Sequence, residues 1–91
     1  MGSSLVKMYS IELTKKAEHF LKKIQKKDSE IILRKLYSIR DNPFPHLKRL
    51  QGYKLWRLRV MDYRVVLDIV ISGQKMMVLR IGHRKNVYNK K

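Results

Sequence analysis

The chain has 91 residues, 44% of them hydrophobic, with 4 Gly and 2 Pro; it can bury one modest core and is too apolar for a disordered segment. Its 22 Lys and Arg against 7 Asp and Glu give a net charge of +15, which points to nucleic acid, an acidic protein or an anionic membrane surface as partner. The absence of Cys excludes a disulfide framework and a thiolate metal site, and no apolar run reaches membrane-spanning length or suits a secretory signal, so a cytoplasmic protein without a membrane partner is expected.

In chain order, residues 1–7 (MGSSLVK) read as a tag remnant or flexible arm, and residues 8–91 as a single domain. Met8 to Leu13 alternates weakly and fits a first strand. Thr14 is a good N-cap. Ala17, Phe20, Leu21 and Ile24 then fall at i, i+3, i+4 and i+7, the amphipathic helix pattern. Lys22, Lys23, Lys26 and Lys27 are expected at the end of this helix, where cations suit the dipole. Asp28 is expected to cap a second helix carrying the apolar stripe Ile32, Leu33, Leu36 and Ile39. Pro43 disfavours helix at Asn42 and ends it. Phe44 to Gly52 reads as a loop.

Strands are expected from about Lys54 to Val60, from Tyr63 to Ile71 and from Met76 to Ile81, joined by tight turns at Met61-Asp62 and Ser72-Gly73-Gln74. The run VVLDIVI is apolar on both faces, so its strand should be central. The expected fold is α+β, in the order β-α-α-β-β-β: an N-terminal strand and an antiparallel helical hairpin packed on a largely antiparallel sheet.

The most informative stretch is WRLRVMDYR, residues 56–64. Arg57 and Arg59 are two apart and share one strand face, leaving Trp56, Leu58 and Val60 for the core. Arg64 follows just beyond the turn. Three guanidinium groups on one side of a hairpin are not there for stability, because like charges on neighbouring strands repel. An anionic partner is expected on that face.

WRLRV, then DYRV, a glycine turn, a strand and GHRKNVY, together with the order of elements, resembles the RelE family of toxins across roughly residues 8–88. The resemblance implies a ribosome-dependent endoribonuclease that cuts mRNA in the ribosomal A site, is held inactive by an acidic RelB-like antitoxin and uses no cofactor or metal. Related ParE toxins share the fold, act on DNA gyrase and lack most of the basic set. A non-catalytic RNA-binding domain is a further alternative. By the same resemblance Arg57 and Arg59 match two basic strand residues of the family, Arg64 the Arg of its GYR-like motif, Arg84 its C-terminal Arg and Tyr88 the Tyr that follows.

Metal-free RNA cleavage needs a base for the 2′-OH, cations for the phosphorane and an acid for the leaving 5′-oxygen. Arg suits the second task, as a planar fork matching phosphate oxygens. Tyr88 can stack on a base. The family pattern has Lys where this chain has Arg57 and Arg59, and Arg is a poor base. His83 is the expected substitute. Lys15, Lys16, Lys22, Lys23, Lys26, Lys27, Lys48 and Arg49 are candidates for RNA or ribosome contact. Trp56 is expected in the core, Tyr53 and Tyr63 as packing residues, and His19 and His46 as ordinary surface residues.

Overall fold

The computed structural model describes residues 8–52 and 54–83. Strand β1 (Ser10–Leu13) leads into helix α1 (Lys15–Lys23), followed by α2 (Lys26–Ser38). Thr14 caps α1 as expected: its hydroxyl accepts from the Ala17 N–H at 3.2 Å. The same hydroxyl donates to the Leu79 carbonyl at 2.6 Å, tying the helix start to a strand 65 residues away.

The helical hairpin differs from the expectation at its link. Helix α1 ends at Lys23, and Gln25 is the N-cap of α2. Lys26 and Lys27 therefore open the second helix instead of closing the first. Asp28 is not the cap. The Gln25 carbonyl already accepts from the N–H groups of Asp28 and Ser29, both at 3.0 Å. The Asp28 carboxylate is instead engaged by the Tyr63 hydroxyl, which donates to it at 2.7 Å and joins α2 to the sheet. Buried Ser29 donates to the Leu21 carbonyl, filling one of the acceptors that a helix end leaves open.

The sheet has five strands in the order β1-β5-β4-β3-β2, with β1 parallel to β5 and every other pair antiparallel. Its members are β2 (Lys48–Arg49), β3 (Trp56–Val60), β4 (Tyr63–Val70) and β5 (Lys75–His83). The strand β4 is central, as its two apolar faces require. The stretch expected to be a plain loop holds a 3₁₀ turn at Phe44–His46 and the two-residue β2, which pairs with the start of β3. The strand expected from Lys54 begins at Trp56, and β5 starts one residue earlier and ends two later than expected.

Both helices cover one face of the sheet. Ala17, Leu21, Ile32 and Leu36 meet Leu58, Val60, Val65, Leu67, Met76, Val78 and Ile81 in one buried cluster. Trp56 is half-buried and packs against that cluster. A bulge interrupts β5: Val66 faces Arg80 but Leu67 faces Val78, so Leu79 is the extra residue. Strict alternation inward from Ile81 would have sent Leu79, Met77 and Lys75 to the core. The bulge sends Val78 and Met76 there instead, and Thr14 satisfies the Leu79 carbonyl at that point.

Two buried polar links should be measurable. Ser29→Ala should lower unfolding free energy by about 1–2 kcal/mol, through the carbonyl left without its donor. Tyr63→Phe should cost about 1 kcal/mol at neutral pH. The hydrogen bond to Asp28, then burial, then the charges of Asp28 and Asp62 hold the Tyr63 phenol above its ordinary value of 10.0. The unfolded chain ionises this tyrosine first, so its contribution is whole below pH 10 and is lost as pH rises through the folded value. The gap between wild type and Tyr63→Phe in denaturant midpoint should therefore shrink above pH 10; a gap independent of pH would refute the assignment.

Candidate nucleic-acid interface

The sheet face away from the helices carries the arginines. In one cross-strand row Lys48 lies opposite Arg57, Arg57 opposite Val66, and Val66 opposite Arg80. In the next row Arg59 lies opposite Arg64, and Arg64 opposite Gly82. Two adjacent rows thus gather four arginines and a lysine. Directly opposed residues in antiparallel strands sit about 4.5–5.5 Å apart at Cα, so these charges are close neighbours. Glycine at position 82 adds no side chain beside Arg64 in this row.

Burial is graded across the face. Arg59 and Arg80 are exposed, and Arg57 and Arg64 are half-buried. Val66 is only 4% exposed although it stands outside the helix-side core cluster. Arg57 and Arg80 flank it in the register, and arginine stems readily cover apolar surface while their heads stay in water. Farther along the same face Glu12 and Asp68 flank Met77, and Lys75 pairs with Glu12 at 3.6 Å, so that end carries little net charge and the positive excess lies on the arginine rows.

The 3₁₀ turn is anchored by an aromatic chain. Phe44 meets Tyr9 edge-on at 6.3 Å and Trp56 at 5.3 Å, and the Arg49 guanidinium lies over the Trp56 ring at 4.8 Å. Leu47 is buried just beyond the turn. These contacts hold His46 and Lys48 beside the edge of β3. There Lys35, His46, Lys48, Arg57, Leu58 and Arg59 line a concavity of about 250 Å³.

The candidate residues divide by face. Arg57, Arg59, Arg64 and Lys48 come together. Arg49 belongs to the other face, stacked on Trp56. Lys15, Lys16, Lys22, Lys23, Lys26 and Lys27 are all exposed on the helical layer, four of them around the link between α1 and α2. Arg84, Tyr88 and Tyr53 lie outside the described residues.

His83 lies apart from the arginine rows. It is opposite Tyr63 on the helix side of the sheet, with ring centroids 4.9 Å from Tyr63 and 6.1 Å from Phe20. Its place in the sequence beside Arg84 suggested proximity to the basic set, but alternate residues of a strand point to opposite faces.

Arg80 and Lys35 were missed. Arg80 could have been found by counting two back from Gly82 on an assigned strand. Lys35 carries no such signal, because only the tertiary fold brings α2 to the edge of β3.

Like charges opposed across strands cost stability, so the arginine rows should burden the fold. Replacing exposed Arg59, which faces Arg64, by Thr should raise the melting temperature by about 1–8 °C, from a relief of roughly 0.2–1 kcal/mol. A fall in melting temperature would mean that Arg59 packs more than it repels.

Several solved structures share this architecture. The RelBE2 toxin–antitoxin complex of Mycobacterium tuberculosis contains a chain that superposes with a TM-score of 0.78 at 20% identity, over 87% of this chain and 94% of that one. The archaeal RelE–RelB complex of Pyrococcus horikoshii gives 0.75 at 21% identity, over 88% and 99%. The intact RelBE complex of E. coli gives 0.71 at 18% identity, over 82% and 95%. No curated protein matches the sequence. The family model for the ParE toxin of the type II toxin–antitoxin system, parDE, matches residues 11–88. With the fold of the RelE structures and a family match over most of its length, the chain belongs to the ParE toxin family, within the RelE/ParE superfamily of toxin–antitoxin toxins.

Proposed function

We propose that this toxin is a ribosome-dependent, metal-independent endoribonuclease that cleaves mRNA in the ribosomal A site. The observation that carries the reading is the pair of cationic rows on the sheet face opposite the helices. In the cleavage step the 2′-hydroxyl loses its proton to solvent or a ribosomal RNA group and attacks the adjacent phosphorus, the P–O5′ bond breaks to leave a 2′,3′-cyclic phosphate, and the 5′-oxygen takes up a proton. Arg57, Arg59 and Arg64 stabilise the charge that grows on the phosphorane oxygens. Arg84 adds electrostatic help to the leaving oxygen, and Tyr88 stacks on a base. The exposed helix lysines hold ribosomal RNA phosphates on the opposite side of the molecule, so the ribosome is gripped by one layer and the message by the other. The protein works in the cytoplasm, and an acidic RelB-like antitoxin neutralises it by covering the arginine face or adding to a sheet edge.

A second reading is inhibition of DNA gyrase without chemistry, favoured by the ParE family match over residues 11–88. Retention of the arginine set weighs against it, since ParE toxins lack most of these residues.

Single-turnover cleavage on saturating programmed ribosomes separates the two, because it isolates chemistry from binding. Arg64→Ala should cut about 10²–10³-fold more slowly, and Arg64→Lys should fall between, keeping charge but losing the fork. His83→Gln should cleave at close to the wild-type rate, whereas loss of a general base costs about 10²–10⁴. No new mRNA 5′ ends, together with inhibition of gyrase supercoiling by the same preparation, would replace the first reading with the second.

A further inference from the structure

We propose that the concavity at the edge of β3 is a phosphate subsite for single-stranded RNA, with Lys35 and His46 as members that lie outside the arginine rows. The inference rests on the reading that the arginine face meets RNA, and extends it around the sheet edge.

Four separate elements converge on this place: α2 gives Lys35, the 3₁₀ turn His46, β2 Lys48, and β3 Arg57 and Arg59. Every lining side chain but Leu58 is basic. Lysines on one helix face are commonly a solvated surface, but cations brought together from four elements work against the fold, as opposed like charges do in a sheet. A bound anion would offset that cost. The volume of about 250 Å³ falls below the roughly 300–1,000 Å³ of sites for drug-sized molecules and suits a hydrated phosphodiester.

The position also fits a strand of RNA. Arg57 and Arg59 belong both to the cationic rows and to the concavity, so one phosphate on the rows leaves a neighbouring phosphate at the edge. Pairing with β2 ends at Arg57, and a strand edge left open presents backbone N–H groups that also favour anions. An acidic peptide is the competing ligand. The centre of a protein interface is depleted of charged residues, whereas this lining is basic apart from Leu58, which is 2% exposed.

The test is a titration of the full chain with a 2′-O-methyl oligoribonucleotide, which binds but lacks the attacking hydroxyl. Binding is followed by NMR shifts of Lys35, His46 and Leu58, and by salt-dependent affinity. Lys35→Ala should weaken binding by about tenfold, one charge-assisted contact, and lower the salt slope by about 0.7. Arg34→Ala, an equal charge loss at an exposed position of the same helix, should change affinity less than twofold. Equal losses in Lys35→Ala and Arg34→Ala would reduce the effect to general electrostatics and overturn the proposal. So would shifts at the concavity with a poly-glutamate peptide but none with RNA. Cleavage on ribosomes is scored separately: binding here without cleavage would sink the enzyme reading alone, and cleavage without binding here would sink the subsite alone.

Discussion

The register of β3 against β4 governs the rest of this molecule. Leu58 and Val60 on one strand, and Tyr63, Val65 and Leu67 on the other, are buried against the helices. The same pleat turns Arg57, Arg59 and Arg64 the opposite way. A slip of one residue would bury guanidinium groups and expose the core, an exchange costing many times a typical domain's stability. The register is set over only two turn residues, and one of them, Met61, takes a positive φ of 53° without being glycine. The hairpin accepts that strained turn because the packing on either side leaves no alternative.

Much of this was legible in the sequence, and what was missed has physical reasons. The period of 3.6 in Ala17, Phe20, Leu21 and Ile24 and the period of 2 in WRLRV each match an element that forms. The Thr14 cap was readable because its hydroxyl acts locally. Asp28 was misread because the Gln25 carbonyl starts the helix earlier and a residue 35 positions away claims the carboxylate. Strand β2 has two residues, too few for any period. The bulge was invisible because Met76, Met77, Val78 and Leu79 offer apolar side chains to both faces. The site was half legible for the same reason. Strand alternation groups Arg57 with Arg59, but only the folded sheet adds Arg80, carries His83 to the other side and brings His46 within reach.

Charge is distributed to let the molecule be held in more than one way. The helical layer presents exposed lysines around its link, while the sheet presents guanidinium forks. Ammonium groups suit a diffuse, sequence-independent grip, and forks suit a defined oxyanion geometry. The M. tuberculosis and P. horikoshii relatives were solved as complexes with their antitoxins, and a toxin of +15 charge provides the field to capture an acidic partner quickly.

The parallel pairing of β1 with β5 joins Ser10 to Lys75, and the Thr14 cap reaches Leu79. These are among the most sequence-distant contacts in the chain, and contacts of this range slow folding because a long loop must close before they form. During synthesis the helical hairpin can form early, but its apolar stripe has no sheet to cover until the last strand has emerged. The five-stranded sheet is therefore incomplete until β5 pairs with β1, and until then the helical stripe is left as an exposed apolar surface.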